Sequence, residues 1–574
     1  MRFLTMSMLV TGLLVTVSNL DAFAQSPETL DRTSKVEKSL LPGGSHTYTV
    51  RLTSGESATV IVTQMGVDIV VELTGPDGTL IDSVDSPNGR DGDEPLEILA
   101  RQTGDYLVRV RSIDAREPED RYRIAVTAWR DASQTSRLLQ TRALAREEAS
   151  RWLQPFSITL AGTDFIANDT PLPLLDALAQ RVRVLGLGEA THGSRELSDL
   201  RLAITKRLIE RDGYRIVALE MSEVRLALLD AYVATQDSPR LDVKRTIESG
   251  IWIGQRSLRN LVEWLRGWNV AHPTQRVRVL GLDAQDNTGA RETLARFLAR
   301  AYGPAVTKRW EAVDREITAA DRQTLVFGDS DVDPAVRQSL FELVALLDLD
   351  SPLLTHRFGE ASVQSARQAA RVLAQFADFN AGGVGTSGHS RDWYMATNVL
   401  RALAESGRES KAIVWGHNAH VSAPPGQPDA RRSSGALLRD VLGCGYGALG
   451  ITFGEGAFVA QIPNDLEDRL HISTLAAAPE ESIEGVLAKL DPRAGLNGVL
   501  AVWPCDTKAA DAPRWLQKPQ PMHWVGGLYT PGNAPSKAFR EYELLRDFDG
   551  IVYLPRVTAE EVPRDRPLIP ARRP

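Results

Sequence analysis

The rhythm of apolar and polar positions changes along the chain. Between residues 30 and 130, runs such as "HTYTVRL", "SATVIVTQ", "DIVVEL", "GDYLVRVRS" and "RYRIAVTAW" alternate or are rich in β-branched residues. Turn signals ("GPDG", "SPNGRDGDEP", "TG") separate them, and this spacing predicts an all-β sandwich. Residues 131–153, "DASQTSRLLQTRALAREEASRWL", have helical periodicity and predict a connecting helix. From about 155 to 560, apolar β-runs alternate with longer helical patterns: "RVRVLGL", "YRIVALEM", "RVRVLGLDA", "KAIVWGH", "GALGITFG", "VLAVWP" and "FDGIVYLP". Strands apolar throughout are buried on both faces, which predicts an α/β domain whose mostly parallel central sheet is covered by helices. Residues 561–574, ending "RDRPLIPARRP", read as a loose tail.

The N-terminus changes this picture. Arg2, the apolar stretch "FLTMSMLVTGLLVTVSNL" and the small-residue signature Ala22–Ala24 before Gln25 predict a signal peptide over residues 1–24. The unbroken apolar part, Met8 to Val17, is shorter than the roughly 20 residues of a spanning helix. The expectation is a periplasmic or secreted protein with no stable membrane anchor after cleavage. A net charge of −8, unchanged by cleavage because one Arg and one Asp leave together, argues against a nucleic-acid partner. Cys444 and Cys505 are the only cysteines, and the sequence leaves open whether they are bridged or are small buried hydrophobes.

Ligands of open α/β sheets bind outside the carboxyl ends of the strands. Polar residues cluster there in this chain. "RVRVLGLGEATHGSREL" delivers Glu189 and His192, "YRIVALE" ends in Glu220, "RVRVLGLD" in Asp283, and "KAIVWGHNAH" brings His417 and His420. A lone strand-end Glu is usually a cap and a lone His a hydrogen-bonded structural residue, but four strands repeating the pattern predict a site. Three chemistries could use it. A neutral His can take a proton from water while a carboxylate fixes its tautomer. Glu-x-x-His and His-x-x-His have metal-like spacing, yet only one Glu-x-x-His occurs, in a Gly-bounded loop, and His-Glu-x-x-His is absent. A serine nucleophile would want a Gly-x-Ser-x-Gly elbow, which is also absent; Ser194 lies near His192 without that setting.

"GLGEATHGSRE", "ALEMS", "GLDAQ", "RDWYMATN" and "GHNAHV", in this order, resemble the erythromycin esterase family over roughly residues 155–560. The closing "FDGIVYLPRVT" fits the family's last strand. The resemblance implies an α/β fold with a deep cleft, and ester or lactone hydrolysis of a small molecule with no required metal or cofactor. It implies His192 as general base with Glu189 beside it, and Glu220 and His417 as further catalytic positions. It places His420, Arg201 and Arg391 in supporting or substrate-binding positions, with Asp283 as a strand-end carboxylate that could instead cap the next helix. For Arg201 a solvated helix face is the competing expectation. "SGESATVIV…VDIVVELTGPDGTLI…TGDYLVRV" resembles the pre-peptidase C-terminal domains of secreted bacterial enzymes, an accessory module in which His46 has no partner at motif spacing. The competing function is a binding protein whose cleft holds an iron-containing or carbohydrate ligand without turnover.

Overall fold

The computed structural model describes residues 27–561 except 87–88, 114–119, 161–170, 235–242, 244–246, 248–254, 286, 328–331, 381–388, 427–431, 463–469, 492–496, 506–510 and 531–534. The expected signal peptide and all but the first residue of the tail lie outside the described residues. The chain divides into two compact units, Met1–Leu138 and Leu139–Pro574. The division falls inside a helix, Ala132–Leu153, where the sequence predicts the connector.

The first unit is all-β. One sheet orders β1 (Glu28–Thr29), β3 (Ser45–Leu52), β8 (Gly104–Ser112), β5 (Ile69–Thr74) and β6 (Leu80–Val84); the other orders β2 (Lys35–Leu40), β9 (Asp120–Arg130), β4 (Ser57–Met65) and β7 (Asp91–Leu99). Alternate side chains such as Tyr48, Val50, Val60, Val62, Val108 and Ile124 close a core within this unit. His46 has a partner that spacing did not reveal: its Nδ1 meets the Tyr122 hydroxyl at 2.8 Å, and that hydroxyl meets Tyr48 Oη at 2.5 Å.

The second unit is built on a nine-stranded sheet. Its strands are β10 (Ser157–Leu160), β11 (Val184–Leu187), β12 (Ile216–Ser222), β13 (Arg278–Asp283), β14 (Ala412–Trp415), β15 (Tyr446–Gln461), β16 (Leu470–Leu475), β17 (Gly498–Val502) and β20 (Gly550–Val557). The order is β10-β17-β20-β15-β11-β14-β12-β13, with β16 added to the far end of β15. The six strands from β20 to β13 run parallel, whereas β17 is antiparallel to β20 and β16 to β15. A separate hairpin pairs β18 (Gln520–His523) with β19 (Phe539–Tyr542).

The β-runs are apolar throughout because both faces are covered. Successive residues of β14 divide between two cores: Ile413 and Trp415 pack with the helices Arg195–Arg211 and Gln255–Ala271, Ala412 and Val414 with the helix Arg391–Ser406. A third core is mostly helical, from residues between Ala284 and Ala377. Burial of this kind contributes roughly 25 cal/mol per Å² of apolar surface, and it backs β11, β14, β12 and β13 on both faces.

Candidate active site

The glycines around β11 make room for a neighbouring side chain and for neighbouring backbone. A Cβ on Gly188 would lie 2.0 Å from Asn418 Oδ1, and one on Gly193 would lie 1.8 Å from the Val459 carbonyl oxygen. Asn418, one residue past His417, donates its backbone N–H to the Glu189 carbonyl at 2.8 Å, and its side-chain amide brackets Ile451 of β15. The two signature motifs "GLGEATHG" and "GHNAH" are thus one interlocked structure across three adjacent strands.

Glu189 is wholly buried and meets His192 Nδ1 at 2.6 Å with Oε1. Its other oxygen lies 2.5 Å from Arg201 Nη2. The helix Arg195–Arg211 turns Arg201 back toward the strand end, where its guanidinium is fully buried with its carbon 4.7 Å from the centre of the Trp415 ring. Burial lowers the arginine's pKa against the pull of Glu189 and Glu220. The competing expectation of a solvated Arg201 is therefore not met: the residue is buried against Glu189, which holds His192. Ser194 is the N-cap of the same helix, accepting from Leu197 N–H at 3.4 Å, and is fully buried. That is a capping role.

A second cluster lies on β12, β13 and β14. Arg391, first residue of its helix, donates to Asp283 through Nε (3.0 Å) and Nη2 (2.7 Å), and through Nη2 to Glu220 Oε1 (2.9 Å). Burial works against the guanidinium's charge, but Asp283, Glu220 and Asp392 outweigh it and hold its pKa above the usual arginine value. Glu220 also accepts the His417 N–H at 2.9 Å. Burial would raise its pKa; His420, Arg391 and His192 overcome this and hold it well below the ordinary value. Asp283 accepts the Gln285 N–H at 3.1 Å besides gripping Arg391; it does not cap the next helix, Thr288–Ala301, whose N-cap is Asn287.

The two histidines of "GHNAH" are in opposite states. His417 Nδ1 accepts from Ala419 N–H at 3.2 Å, so Nε2 carries the proton and donates to the Ala190 carbonyl at 3.2 Å. Burial, with His192 adding to it, lowers this ring's pKa to about 3 despite Glu220. His420 Nδ1 lies 2.9 Å and 3.0 Å from the two Asp392 oxygens, and Nε2 lies 3.3 Å from Glu220. Arg391 Nη1 also approaches Nε2 at 3.3 Å and opposes a charged ring, but two carboxylates outweigh one guanidinium. Burial disfavours the cation; Asp392 and Glu220 push its pKa up to about 10. The rings of His192 and His417 are 5.7 Å apart, so the two clusters share one strand-end region. Among the described residues, no three His, Cys, Asp or Glu side chains gather as ligands for one ion.

Sequence reasoning missed two contributors. Asp392 follows Arg391 directly in "RDWYMATN", so an acidic neighbour of a candidate residue was the available signal. The other is the segment 524–527, "WVGG": Gly526 accepts the His192 N–H at 3.2 Å, and a Cβ on Gly527 would lie 3.1 Å from His192 Cδ2. Its paired glycines are the trace it left in the sequence.

A family model for erythromycin esterase matches residues 209–557. The chain belongs to the erythromycin esterase family. The match begins downstream of Glu189, His192 and Arg201 and does not cover them. An Escherichia coli protein named erythromycin esterase type II is 23% identical over 416 residues, covering 66% of this chain and 91% of the relative. A solved structure of a succinoglycan biosynthesis protein aligns with a TM-score of 0.55 at 18% identity, covering 73% of this chain and 99% of its own. A variant of the erythromycin esterase EreC, in its open conformation, aligns at 0.52 and 16%, covering 71% and 99%. Membership in this family supports a hydrolase, and the structural likenesses carry the fold.

Proposed function

We propose that the protein hydrolyses an ester or lactone of a small molecule with water activated by His192. The observation that carries this reading is the 2.6 Å contact between Glu189 and His192 Nδ1 at the end of β11, braced by the buried Arg201. A carboxylate at Nδ1 selects the tautomer whose lone pair is on Nε2. Nε2 takes a proton from water as the water oxygen bonds to the acyl carbon, and the resulting imidazolium returns the proton to the departing alkoxide. His417, with both ring nitrogens bonded to backbone, acts by position: it shapes the strand end and donates its N–H to Glu220. Arg391, Asp283 and His420 form a charged floor that orients Glu220, and Arg391 is the cation assigned to an acyl oxygen in this scheme.

Export is part of the proposal. Cys444 and Cys505 are bridged, and such bridges persist in oxidising compartments; this agrees with the leader-like N-terminus. Among the described residues, no helix is long and apolar enough to cross a membrane.

The test is an ester and macrolide-lactone panel assayed with and without chelator, on wild type, His192→Asn and Ser194→Ala. Turnover should resist chelator, His192→Asn should lower it by on the order of 10²–10⁴, and Ser194→Ala should leave the rate near wild type. Loss of turnover in a folded Ser194→Ala with His192→Asn active would overturn the general-base assignment. Tight ligand capture without turnover of any ester would favour the binding-protein reading.

A further inference from the structure

A second carboxylate–histidine pair lies outside the machinery described above. Asp378, at the end of the helix Glu360–Phe379, is 1% exposed yet collects four donors. They are the Tyr394 hydroxyl at 2.6 Å, His389 N–H at 2.9 Å, His389 Nδ1 at 3.1 Å, and Arg337 Nε, which bonds its other oxygen. Burial pushes this carboxyl's pKa up, but the Tyr394 and His389 hydrogen bonds and Arg337 bring it below the ordinary value. His389 Nδ1–H therefore points inward, and Nε2 is the acceptor on the outer side of the ring.

The His389 side chain is 49% exposed and lies against Trp393, with ring centres 3.9 Å apart and planes at 29°. Trp393 is braced edge-on by Tyr394 at 5.0 Å. His389 precedes Arg391 by two residues, so at most about 7 Å of chain separates it from the arginine that grips Glu220 and Asp283. A carboxylate serving only to tie helices would be satisfied by Tyr394, Arg337 and the backbone N–H. The additional locking of a half-exposed imidazole upon an indole fixes both rings in place, the condition under which a surface binds at low ordering cost.

We propose that His389 and Trp393 form a recognition subsite for a hydroxylated saturated ring, as in a pyranoside, beside the hydrolytic cluster. The C–H face of such a ring packs on the aromatic pair while a ring hydroxyl donates to His389 Nε2. The inference rests on the hydrolase reading only for its meaning as a substrate subsite, and its test reads binding rather than turnover.

The test is saturation-transfer NMR of the full chain with methyl pyranosides of glucose and galactose, and with tetrahydropyran, which has the saturated ring but no hydroxyl, as a control. Wild type should show transfer to the ring C–H protons of a pyranoside and little to tetrahydropyran. His389→Ala and Trp393→Ala should weaken binding by about tenfold, the worth of one hydrogen bond or one aromatic face, whereas Trp393→Phe keeps a face and should retain most of it. His389→Ala leaves the Tyr394 and Arg337 bonds to Asp378 in place; circular dichroism checks its fold. No pyranoside binding by wild type, or equal binding by all variants, overturns the proposal. Variant-sensitive pyranoside binding without turnover of any ester sustains this inference and sinks the hydrolase reading; ester turnover without pyranoside binding does the reverse.

Discussion

At position 201 the chain places a fully buried guanidinium against a fully buried carboxylate, and that pair decides what Glu189 can do for His192. Removing one partner of a buried pair leaves the other charge unpaired, at a cost of about 3–5 kcal/mol. Arg201→Met should therefore lower stability in urea by about that amount, and the double variant Glu189→Gln/Arg201→Met should lose less than the sum of the single changes. Additive losses would mean the two side chains do not act as a pair. The histidines make a further residue-scale point. Sequence spacing brought His417 and His420 forward together, but only the hydrogen-bond partners separate a neutral, backbone-bound ring from a charged one. A folded pKa of about 10 for His420 lies above its ordinary 6.5. Its contribution to stability is thus complete below about pH 6.5 and is lost as pH rises through 10. The stability difference between wild type and His420→Gln should be constant below pH 6 and shrink from pH 7 to 10. A difference that grows over that interval would contradict the charged assignment.

At the scale of elements, every one of the seven apolar β-runs became a strand of the central sheet, because a strand covered on both faces leaves an unmistakable run of apolar residues. Direction was not legible. "VLAVWP" and "FDGIVYLP" look alike, yet β17 runs antiparallel to β20, and β20 lies inside the sheet between β15 and β17. Hydrophobic period reports faces, and direction is fixed by the connections. β16 escaped because "LHISTL" alternates buried and exposed residues at the margin of the sheet and carries a buried histidine. The glycine pattern was legible as an oddity and meaningful only once Asn418 was seen to occupy the space beside Gly188. Gly188→Ala would drive a methyl into that amide, which also brackets Ile451, so the interlock of β11, β14 and β15 must open. Overpacking of this kind costs about 1–3 kcal/mol or more. Gly188→Ala should lower the midpoint of urea unfolding accordingly and depress turnover in the fraction that remains folded, since Glu189 follows directly. A variant with unchanged midpoint and rate would show that the amide moves aside freely.

For the whole second unit, the sheet's two ends do different work. The carboxyl ends of the central parallel strands hold the ionised clusters, and the opposite end of β15 is tied down by other means. The Cys444–Cys505 bridge joins the short helical turn Gly443–Gly445, just before β15, to the segment that follows β17. Beside it the buried Asp549 takes Arg439, Arg181 and the Ala448 N–H, fastening the start of β15 to the turn before β20. The cysteines were legible only as a pair of residues that could be joined, because 61 positions separate them. Closing a loop of that length removes unfolded-chain entropy worth roughly 4 kcal/mol in the chain-entropy account. None of the candidate catalytic residues touches this end, so stability and chemistry should separate. The double variant Cys444→Ser/Cys505→Ser should therefore unfold at lower urea concentration while its rate per folded molecule, on whichever ester wild type hydrolyses, stays close to wild type. The same fall in stability should appear when wild type is unfolded under reducing conditions, and the variant should be indifferent to reductant. A rate that collapses in the still-folded variant would mean that the anchoring of β15 sets the position of the His192 loop, which the far end of the same strand holds through Val459 and Gly193.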